Sequence, residues 1–186
     1  MGLEIKNRFT NEVIFSGDAS SIAALLEEAV AQEVDLAEAH LAGENLSKAK
    51  LSGAKLALAD LSKANLSACD LTGAWLAGAL LCSADLYGAS LRKANLSGAD
   101  LSDCNLRSAD LGWARLTMAN LSESNLTQAN MFGANLTGAN LFEAILDAVN
   151  MAGANLDGAS LVGAHISKAN LVWVQGMEDD GAEQDS

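Results

Sequence analysis

Three cysteines and two histidines are the side chains best suited to carry chemistry in this chain of 186 residues. A metal site needs three or four such ligands close together, and a disulfide framework needs paired cysteines. Neither pattern is present, because the chain has no CxxC motif and His40 and His165 lie far apart. The cysteines are Cys69, Cys82 and Cys104. We therefore expect no catalytic residues, no cofactor and no metal centre.

The charged residues and the glycines give no catalytic pattern either. No nucleophile–base pair or carboxylate pair stands out, and the glycines follow a spacing of five rather than the GxGxxG spacing of a phosphate-binding loop. The net charge is −13, but most of it lies at the two ends. Residues 36–175 carry twelve acids and nine bases, a net charge of only −3.

A period of five residues organises most of the chain. From Leu36 to Leu171 a large aliphatic residue occupies every fifth position, 28 times in all, and 25 of these residues are leucine. Alanine stands two residues before it in 22 of the 28 units, and Asp or Asn stands one residue before it in 18. This period fits neither an α-helix nor a β-strand, so the chain must coil in another way. Cys69 and Cys104 occupy the alanine position and should be buried, whereas Cys82 occupies an outward one.

The units resemble those of the pentapeptide-repeat family, which read A(D/N)LXX. Ala64-Asn65-Leu66-Ser67 and Ala99-Asp100-Leu101-Ser102 show the pattern, and the match continues without interruption through all 28 units. The resemblance implies an all-β solenoid, a right-handed quadrilateral β-helix in which each pentapeptide forms one side of a square coil. Four units per coil give about seven coils. At roughly 4.8 Å per coil the rod should be about 34 Å long.

The repeat has a physical reason at each position. A square coil has room for one long aliphatic side chain per side and a small residue near each corner, which leucine and alanine supply. A type II turn at each corner needs a positive φ at its third residue, and glycine tolerates this best. Asp and Asn side chains can accept hydrogen bonds from nearby backbone at such corners. Eleven of the 16 glycines lie two residues after the central aliphatic residue: Gly43, Gly53, Gly73, Gly78, Gly88, Gly98, Gly133, Gly138, Gly153, Gly158 and Gly163.

Three segments follow from this pattern: an N-terminal cap over residues 1–33, the solenoid over residues 34–175, and an acidic, disordered tail over residues 176–186. We predict that the cap is a hairpin, with strands over residues 3–9 and 13–15, followed by a helix. N-cap candidates lie at residues 18–21. The helix should turn one apolar stripe towards the open first coil, and Glu27, Glu28 and Glu33 should face away. That stripe consists of Ile22, Leu25, Leu26 and Val30.

Two groups of outward residues are candidate surfaces. Several apolar side chains gather near the last coil, where no cap is predicted and unpaired strand edges would be exposed. An end-to-end homodimer through the C-terminal coil would cover that end, as would residues 172–177 folding over a monomer. The candidate interaction or dimer surface is Phe132, Phe142, Val162, Val172 and Trp173. The candidate acidic face carries Asp100, Asp103, Glu123 and Glu143.

The resulting functional hypothesis is a non-enzymatic scaffold that binds an unidentified protein. The family resemblance implies an alternative, a DNA-mimic inhibitor or protector of DNA gyrase or topoisomerase IV, of the quinolone-resistance or toxin-immunity type. The charge speaks against that alternative, because a DNA duplex of this length carries on the order of 20 phosphate charges. With no apolar run of transmembrane length and no apolar core of a signal peptide, we expect a cytoplasmic protein. The family resemblance implies a bacterial one. We expect neither membrane association nor direct binding of nucleic acid.

Overall fold

The computed structural model describes residues 2–176, most of which form a right-handed quadrilateral β-helix. Every fifth residue from Asp35 to Asn155 forms a parallel bridge with the residue twenty positions further along the chain. Twenty residues, or four pentapeptides, therefore make one coil, and the predicted fold is confirmed. From residue 177 onward, the tail predicted to be disordered lies outside the described residues.

Three backbone hydrogen bonds per pentapeptide join neighbouring coils, as the unit centred on Leu101 shows. The N–H of Leu101 donates to the Asn120 carbonyl at 2.7 Å, and the N–H of Asp103 donates to the Ser122 carbonyl at 3.0 Å. In the other direction, the N–H of Asp100 donates to the carbonyl of Ala79 at 3.0 Å. Proline would remove any of these donors, which explains why the chain contains none.

The corners are turns in which only the third residue has a positive φ, as in a type II turn. The N–H of Ala99, for example, donates back to the Leu96 carbonyl at 3.0 Å across one corner. All eleven glycines predicted at this position have a positive φ. The remaining units place other residues there, including Lys93 and Trp113, at φ values close to 60°. The left-handed backbone costs such residues about 1 kcal/mol or more each, so the stacked coils impose the turn even where the local sequence opposes it.

The Asp and Asn side chains before each leucine have two roles. In every such unit the side-chain Oδ1 accepts the N–H two residues further along, as Asp100 does from Ser102 at 3.1 Å. In several units the Asn side-chain amide also reaches the previous coil. Nδ2 of Asn130 donates to Oδ1 of Asp110 at 2.9 Å, and Nδ2 of Asn150 donates to Oδ1 of Asn130 at 3.0 Å. Asp or Asn at this position therefore stabilises the corner, and Asn can also join one coil to the next.

The interior contains the leucine and alanine positions, nearly all of which are inaccessible to solvent. Polar residues at the alanine position are satisfied by backbone carbonyls. Oγ of Ser124 donates to the Leu121 carbonyl at 2.6 Å. Sγ of Cys69 lies 3.0 Å from the Ala49 carbonyl, and Sγ of Cys104 lies 2.9 Å from that of Leu81. Both cysteines are buried, as predicted, and Cys82 is only half-buried.

We expect one of the three thiols to react with a maleimide or a disulfide reagent in the folded protein. Burial raises the pKa of the Cys69 thiol to about 12 and that of the Cys104 thiol to about 12, so neither supplies thiolate at neutral pH. Cys82 should label within minutes at pH 8, and all three thiols should label in denaturant. Mass spectrometry of the labelled peptides measures this, and rapid native labelling of Cys69 or Cys104 would contradict it.

The N-terminal cap starts with a hairpin of two antiparallel strands, β1 (Leu3–Lys6) and β2 (Val13–Gly17). The first strand is shorter than predicted because a turn starts at Asn7. The side-chain Oδ1 of Asn7 accepts the N–H groups of Phe9 at 2.8 Å and Thr10 at 3.1 Å. The residues beyond β1 pair with the first coil, and the N–H of Arg8 donates to the Glu38 carbonyl at 2.8 Å. The hairpin thus covers one corner of the open first coil.

The helix α1 (Ile22–Ala31) also packs against the core of the rod. Ser21 is its N-cap, and its side chain accepts the N–H of Ala24 at 3.1 Å. Leu25 and Leu26 from the predicted stripe are fully buried. The prediction that Glu27 faces away was wrong, because its Oε1 accepts the N–H of Lys50 at 2.8 Å. That N–H belongs to the first coil and has no earlier coil to bond to, so the carboxylate supplies the missing acceptor.

Candidate protein-interaction surfaces

The repeat gives the rod four faces, which we number 1 to 4 after the units centred on Leu36, Leu41, Leu46 and Leu51. Each face recurs every twenty residues, so faces 2 and 4 lie on opposite sides of the square, as do faces 1 and 3. In each pentapeptide the residue before the leucine and the two residues after it point outward. The functional question is therefore which outward side chains share a face or a corner.

The five residues of the predicted interaction or dimer surface divide between two opposite faces. Phe132, Val172 and Trp173 lie on face 4, whereas Phe142 and Val162 lie on face 2. All five are exposed, and Trp173 on the last coil is the most exposed of them at 81%. They therefore form two separate apolar groups rather than one continuous surface.

The predicted acidic residues all lie on face 2, but in two different environments. Asp103, Glu123 and Glu143 are twenty residues apart, so they stack in one exposed column without an ion pair to any described residue. Asp100 belongs to the neighbouring column, and its carboxylate accepts hydrogen bonds within the rod. Its Oδ1 accepts the Ser102 hydroxyl at 2.7 Å and the Asn120 side-chain amide at 3.1 Å. Three carboxylates, not four, are therefore free to meet a partner.

Two aromatic rings contact each other on face 4. The rings of Trp113 and Phe132 meet edge to face, with their centroids 5.3 Å apart and their planes at 83°. Trp113 is about half exposed and has a φ of 60°. Its ring lies over Gly133 on the next coil, where an added Cβ would lie only 2.7 Å from Cε3 of the indole. The glycine leaves the space in which the indole rests.

Three bases surround this aromatic pair. Lys93 precedes Trp113 by one coil in the same column, and Arg115 starts face 1 just beyond the corner that Trp113 occupies. Neither base forms an ion pair within residues 2–176. Nη1 of Arg92 donates to Oδ2 of Asp110 at 3.0 Å. We call the group formed by Arg92, Lys93, Trp113, Arg115 and Phe132 the basic–aromatic strip.

Sequence reasoning did not assemble the basic–aromatic strip. Of its five residues, only Phe132 was predicted to lie on a candidate interaction surface. Arg115 was missed because it belongs to face 1, although it is only two residues from Trp113. The available signal was the twenty-residue spacing from 93 to 113, together with this short step around one corner.

Asp110 holds the guanidinium of Arg92 in place and is ionised at neutral pH. Partial burial raises the pKa of Asp110, but hydrogen bonds from the Gly112 N–H, Arg92 and Asn130 outweigh it, so the pKa lies below its usual range. A carboxyl group whose pKa is lowered by folding stabilises the fold at pH values above its unfolded-state pKa. That stabilisation is lost as the pH falls through its folded-state pKa. The ion pair should therefore persist at neutral pH and weaken only in acid, below about pH 4.

A shallow groove lies between α1 and the first coils. Val30, Val34, Ala54 and Trp75 contribute its apolar lining. Glu33, Ser52 and Lys55 contribute its polar lining, and Nζ of Lys55 donates to the Glu33 carbonyl at 3.1 Å. This hydrogen bond ties the segment that follows α1 to the first coils.

The last coil is partly open. Within residues 2–176, the backbone N–H groups of Ile166, Leu171 and Trp173 have no acceptor, although the same groups on earlier coils donate to the next coil. Leu171 and Val174 are only partly buried. The end of the rod therefore offers both apolar side chains and backbone donors.

Within residues 2–176, no helix is long and apolar enough to span a bilayer. Nor is any group of three or more His, Cys, Asp or Glu residues arranged to hold a metal ion.

The profile of the pentapeptide-repeat family matches residues 32–67, 64–103, 104–141 and 144–175. These segments cover well over half of the chain, which therefore belongs to the pentapeptide-repeat family. No curated protein matches the chain.

Two solved structures illustrate how far the likeness extends. HetL, a pentapeptide-repeat protein involved in heterocyst differentiation regulation in the cyanobacterium Nostoc sp. strain PCC 7120, is 28% identical with a TM-score of 0.55. The match covers 85% of this chain and 93% of HetL. QnrB1, a plasmid-mediated fluoroquinolone resistance protein, is 17% identical with a TM-score of 0.62 over 78% of this chain and 77% of QnrB1. At that identity the likeness to QnrB1 concerns the fold alone.

Proposed function

We propose that this protein is a non-enzymatic scaffold that binds another protein through an exposed face of its rod. The observation that carries the proposal is Trp113. Eleven units place glycine at the equivalent turn position, so the turn itself does not require tryptophan. A large ring that is held half exposed on a left-handed backbone, against Phe132, contributes little to the core. Exposed aromatic pairs of this kind are common anchors for partner proteins.

The likeness to HetL supports a binding role. HetL is described as involved in the regulation of heterocyst differentiation. Regulation by such a rod is readily understood as binding, because leucine and alanine side chains fill its interior and leave its outer faces to meet a partner. The partner of the present protein is a separate question.

A comparison of faces in a capture experiment tests the scaffold proposal. The wild-type protein, immobilised through its N-terminus, should retain a specific protein from a lysate of its host. Replacing both Trp113 and Phe132 by serine should abolish that capture, because it removes the aromatic pair. Replacing Phe142 and Val162 by serine is the matched control on the opposite face. Identical captured proteins with the wild type and with both double variants would contradict the proposal.

The alternative role, as an inhibitor or protector of a type II topoisomerase, has one supporting observation. Asp103, Glu123 and Glu143 form a column of free carboxylates about 4.8 Å apart on face 2, which could imitate part of a phosphate track. A DNA gyrase supercoiling assay tests this role. Inhibition, or relief of quinolone poisoning, that disappears in Glu123→Lys would favour it over the scaffold proposal, whereas no effect at micromolar protein would remove it.

We further propose that the protein forms an end-to-end homodimer through its last coil. Support comes from backbone N–H groups of the last coil that have no acceptor within residues 2–176, and from the exposed side chains of Val172 and Trp173. Pairing two such ends would cover both.

Sedimentation velocity across a concentration series checks the homodimer. The wild type should approach twice the monomer mass, and Trp173→Asp should remain monomeric because the interface would bury an unpaired charge. Trp75→Asp, an equally drastic change at an exposed tryptophan near the other end, should still dimerise. Monomeric mass for all three proteins would exclude the dimer.

A further inference from the structure

We infer that the basic–aromatic strip binds an acidic segment of the partner, a segment that also carries an aromatic or aliphatic anchor side chain. The inference rests on the proposed scaffold function and adds the chemistry of the partner to it. It depends on the charges of the strip, on its exposed aromatic pair, and on the opposite charge of face 2.

The charge of the strip comes from two bases that no described acid neutralises. Arg92 is paired with Asp110, whereas Lys93 and Arg115 flank Trp113 without an ion pair. The free carboxylates of Asp103, Glu123 and Glu143 lie on the opposite face. The rod therefore carries opposite charge on opposite faces, although its repeat is almost neutral overall. Exposed bases beside an aromatic anchor favour an acidic partner and speed its association.

An exposed apolar contact for the anchor side chain lies beside the two bases. The rings of Trp113 and Phe132 meet edge to face, and the two side chains are 53% and 39% exposed. Ala152 and Val172 continue the Phe132 column on the next two coils, but Ala152 is buried, so the contact is offered by the aromatic pair itself.

The length of the surface fits a short segment. From Lys93 to Phe132 the rod rises by two coils, or about 10 Å. An extended chain covers that distance with about three residues. We therefore expect the acidic residues of the segment near Lys93 and Arg115, and its anchor against Trp113 and Phe132.

A second copy of this chain is the rival occupant, because face 2 presents Phe142 beside the acidic column. Two whole chains, each with a net charge of −13, repel each other when they pack side by side. A short acidic segment held against the two bases is repelled less. This comparison favours a partner segment over self-association.

Fluorescence anisotropy with a labelled synthetic peptide, EEDDLEFLEG, tests the inference on the full-length protein. The wild type should bind it, and raising the NaCl concentration from about 50 mM to about 300 mM should weaken binding about fivefold or more, because the paired charges are exposed. The same peptide with glutamine in place of every Glu and asparagine in place of every Asp should bind at least about tenfold more weakly.

Two pairs of variants place the binding on the strip. Lys93→Glu combined with Arg115→Glu should weaken binding of the acidic peptide by about tenfold or more. Lys63→Glu combined with Lys168→Glu makes the same charge change at exposed positions on faces 2 and 3, and should alter binding less than about twofold. Trp113→Ser should also weaken binding of the peptide, whereas Phe142→Ser should not. Circular dichroism and the urea midpoint confirm that each variant is folded.

Several outcomes would overturn the inference. These are equal weakening by both double charge variants, no peptide binding by the wild type, or a lateral oligomer of the wild type that Lys93→Glu with Arg115→Glu disperses. The proposed function is distinguishable from it. If the lysate capture depends on Trp113 and Phe132 but the acidic peptide does not bind, the scaffold role stands and the acidic partner is wrong. If the captured proteins are the same for every variant, the proposed function fails as well.

Discussion

Replacing Leu101 by alanine should lower the free energy of unfolding by about 3 kcal/mol, because the leucine is fully buried and its removal leaves a cavity. Leu101 lies in the middle of the rod, with coils stacked on both sides that hold the surrounding leucines in place. The cavity can therefore collapse only partly. Urea denaturation followed by circular dichroism measures the loss, and an unchanged slope would show that the transition remains a single cooperative one.

Leu171→Ala is the matched control, because it makes the same change at the same position of the repeat. Leu171 lies on the last coil and is only partly buried. At low protein concentration its replacement should cost about 1 kcal/mol. An end-to-end homodimer would raise that cost as the protein concentration increases, since the dimer buries Leu171. Equal costs for Leu101→Ala and Leu171→Ala at every concentration would contradict the view of the last coil as the open end.

The interior of the rod was fully predictable because every unit repeats the same physical solution. The unbroken register of leucine and alanine predicted the buried Cys69 and Cys104, and its resemblance to the pentapeptide-repeat family predicted the solenoid and the glycines with positive φ. Each of these depends only on the position within the pentapeptide. A side chain of the wrong size would disturb the coils above and below it, so the sequence has little freedom there.

The turns were predicted in type but not in composition. Glycine was expected at the third position, and eleven units have it, but Lys93, Trp113 and many others adopt the same left-handed backbone. Local preference opposes this conformation. The hydrogen bonds to the neighbouring coil, such as that from the Trp113 N–H to the Phe132 carbonyl at 2.9 Å, impose it instead. Such long-range control is not visible in four consecutive residues.

The ends and the outside of the rod were harder to predict for a different reason. Glu27 was expected to face away because helical periodicity places it off the apolar stripe, but periodicity says nothing about an orphan N–H on another element. The basic–aromatic strip combines residues from four pentapeptides and two faces. Outward side chains are free to vary, so only the geometry of the coil shows which of them meet.

Replacing Gly133 by alanine should destabilise the protein by about 2–3 kcal/mol. Its φ of 63° disfavours any residue with a Cβ, which costs about 1 kcal/mol or more. The added Cβ would also lie 2.7 Å from the ring of Trp113, closer than atoms can approach. The indole must therefore move, and its edge-to-face contact with Phe132 should be lost. Urea denaturation gives the stability, and indole fluorescence reports the displacement.

Gly153→Ala and a double variant separate the two causes. Gly153 has nearly the same φ, 68°, but nothing lies within 4 Å of its added Cβ, so its replacement should cost only the backbone part, about 1 kcal/mol. In the double variant, Trp113→Ala should reduce the effect of Gly133→Ala to that of Gly153→Ala, because no ring remains to be displaced. Peptide binding should weaken in Gly133→Ala and stay unchanged in Gly153→Ala. If both glycine variants cost the same and bind alike, the indole does not rest on Gly133, and the strip does not present Trp113 as described.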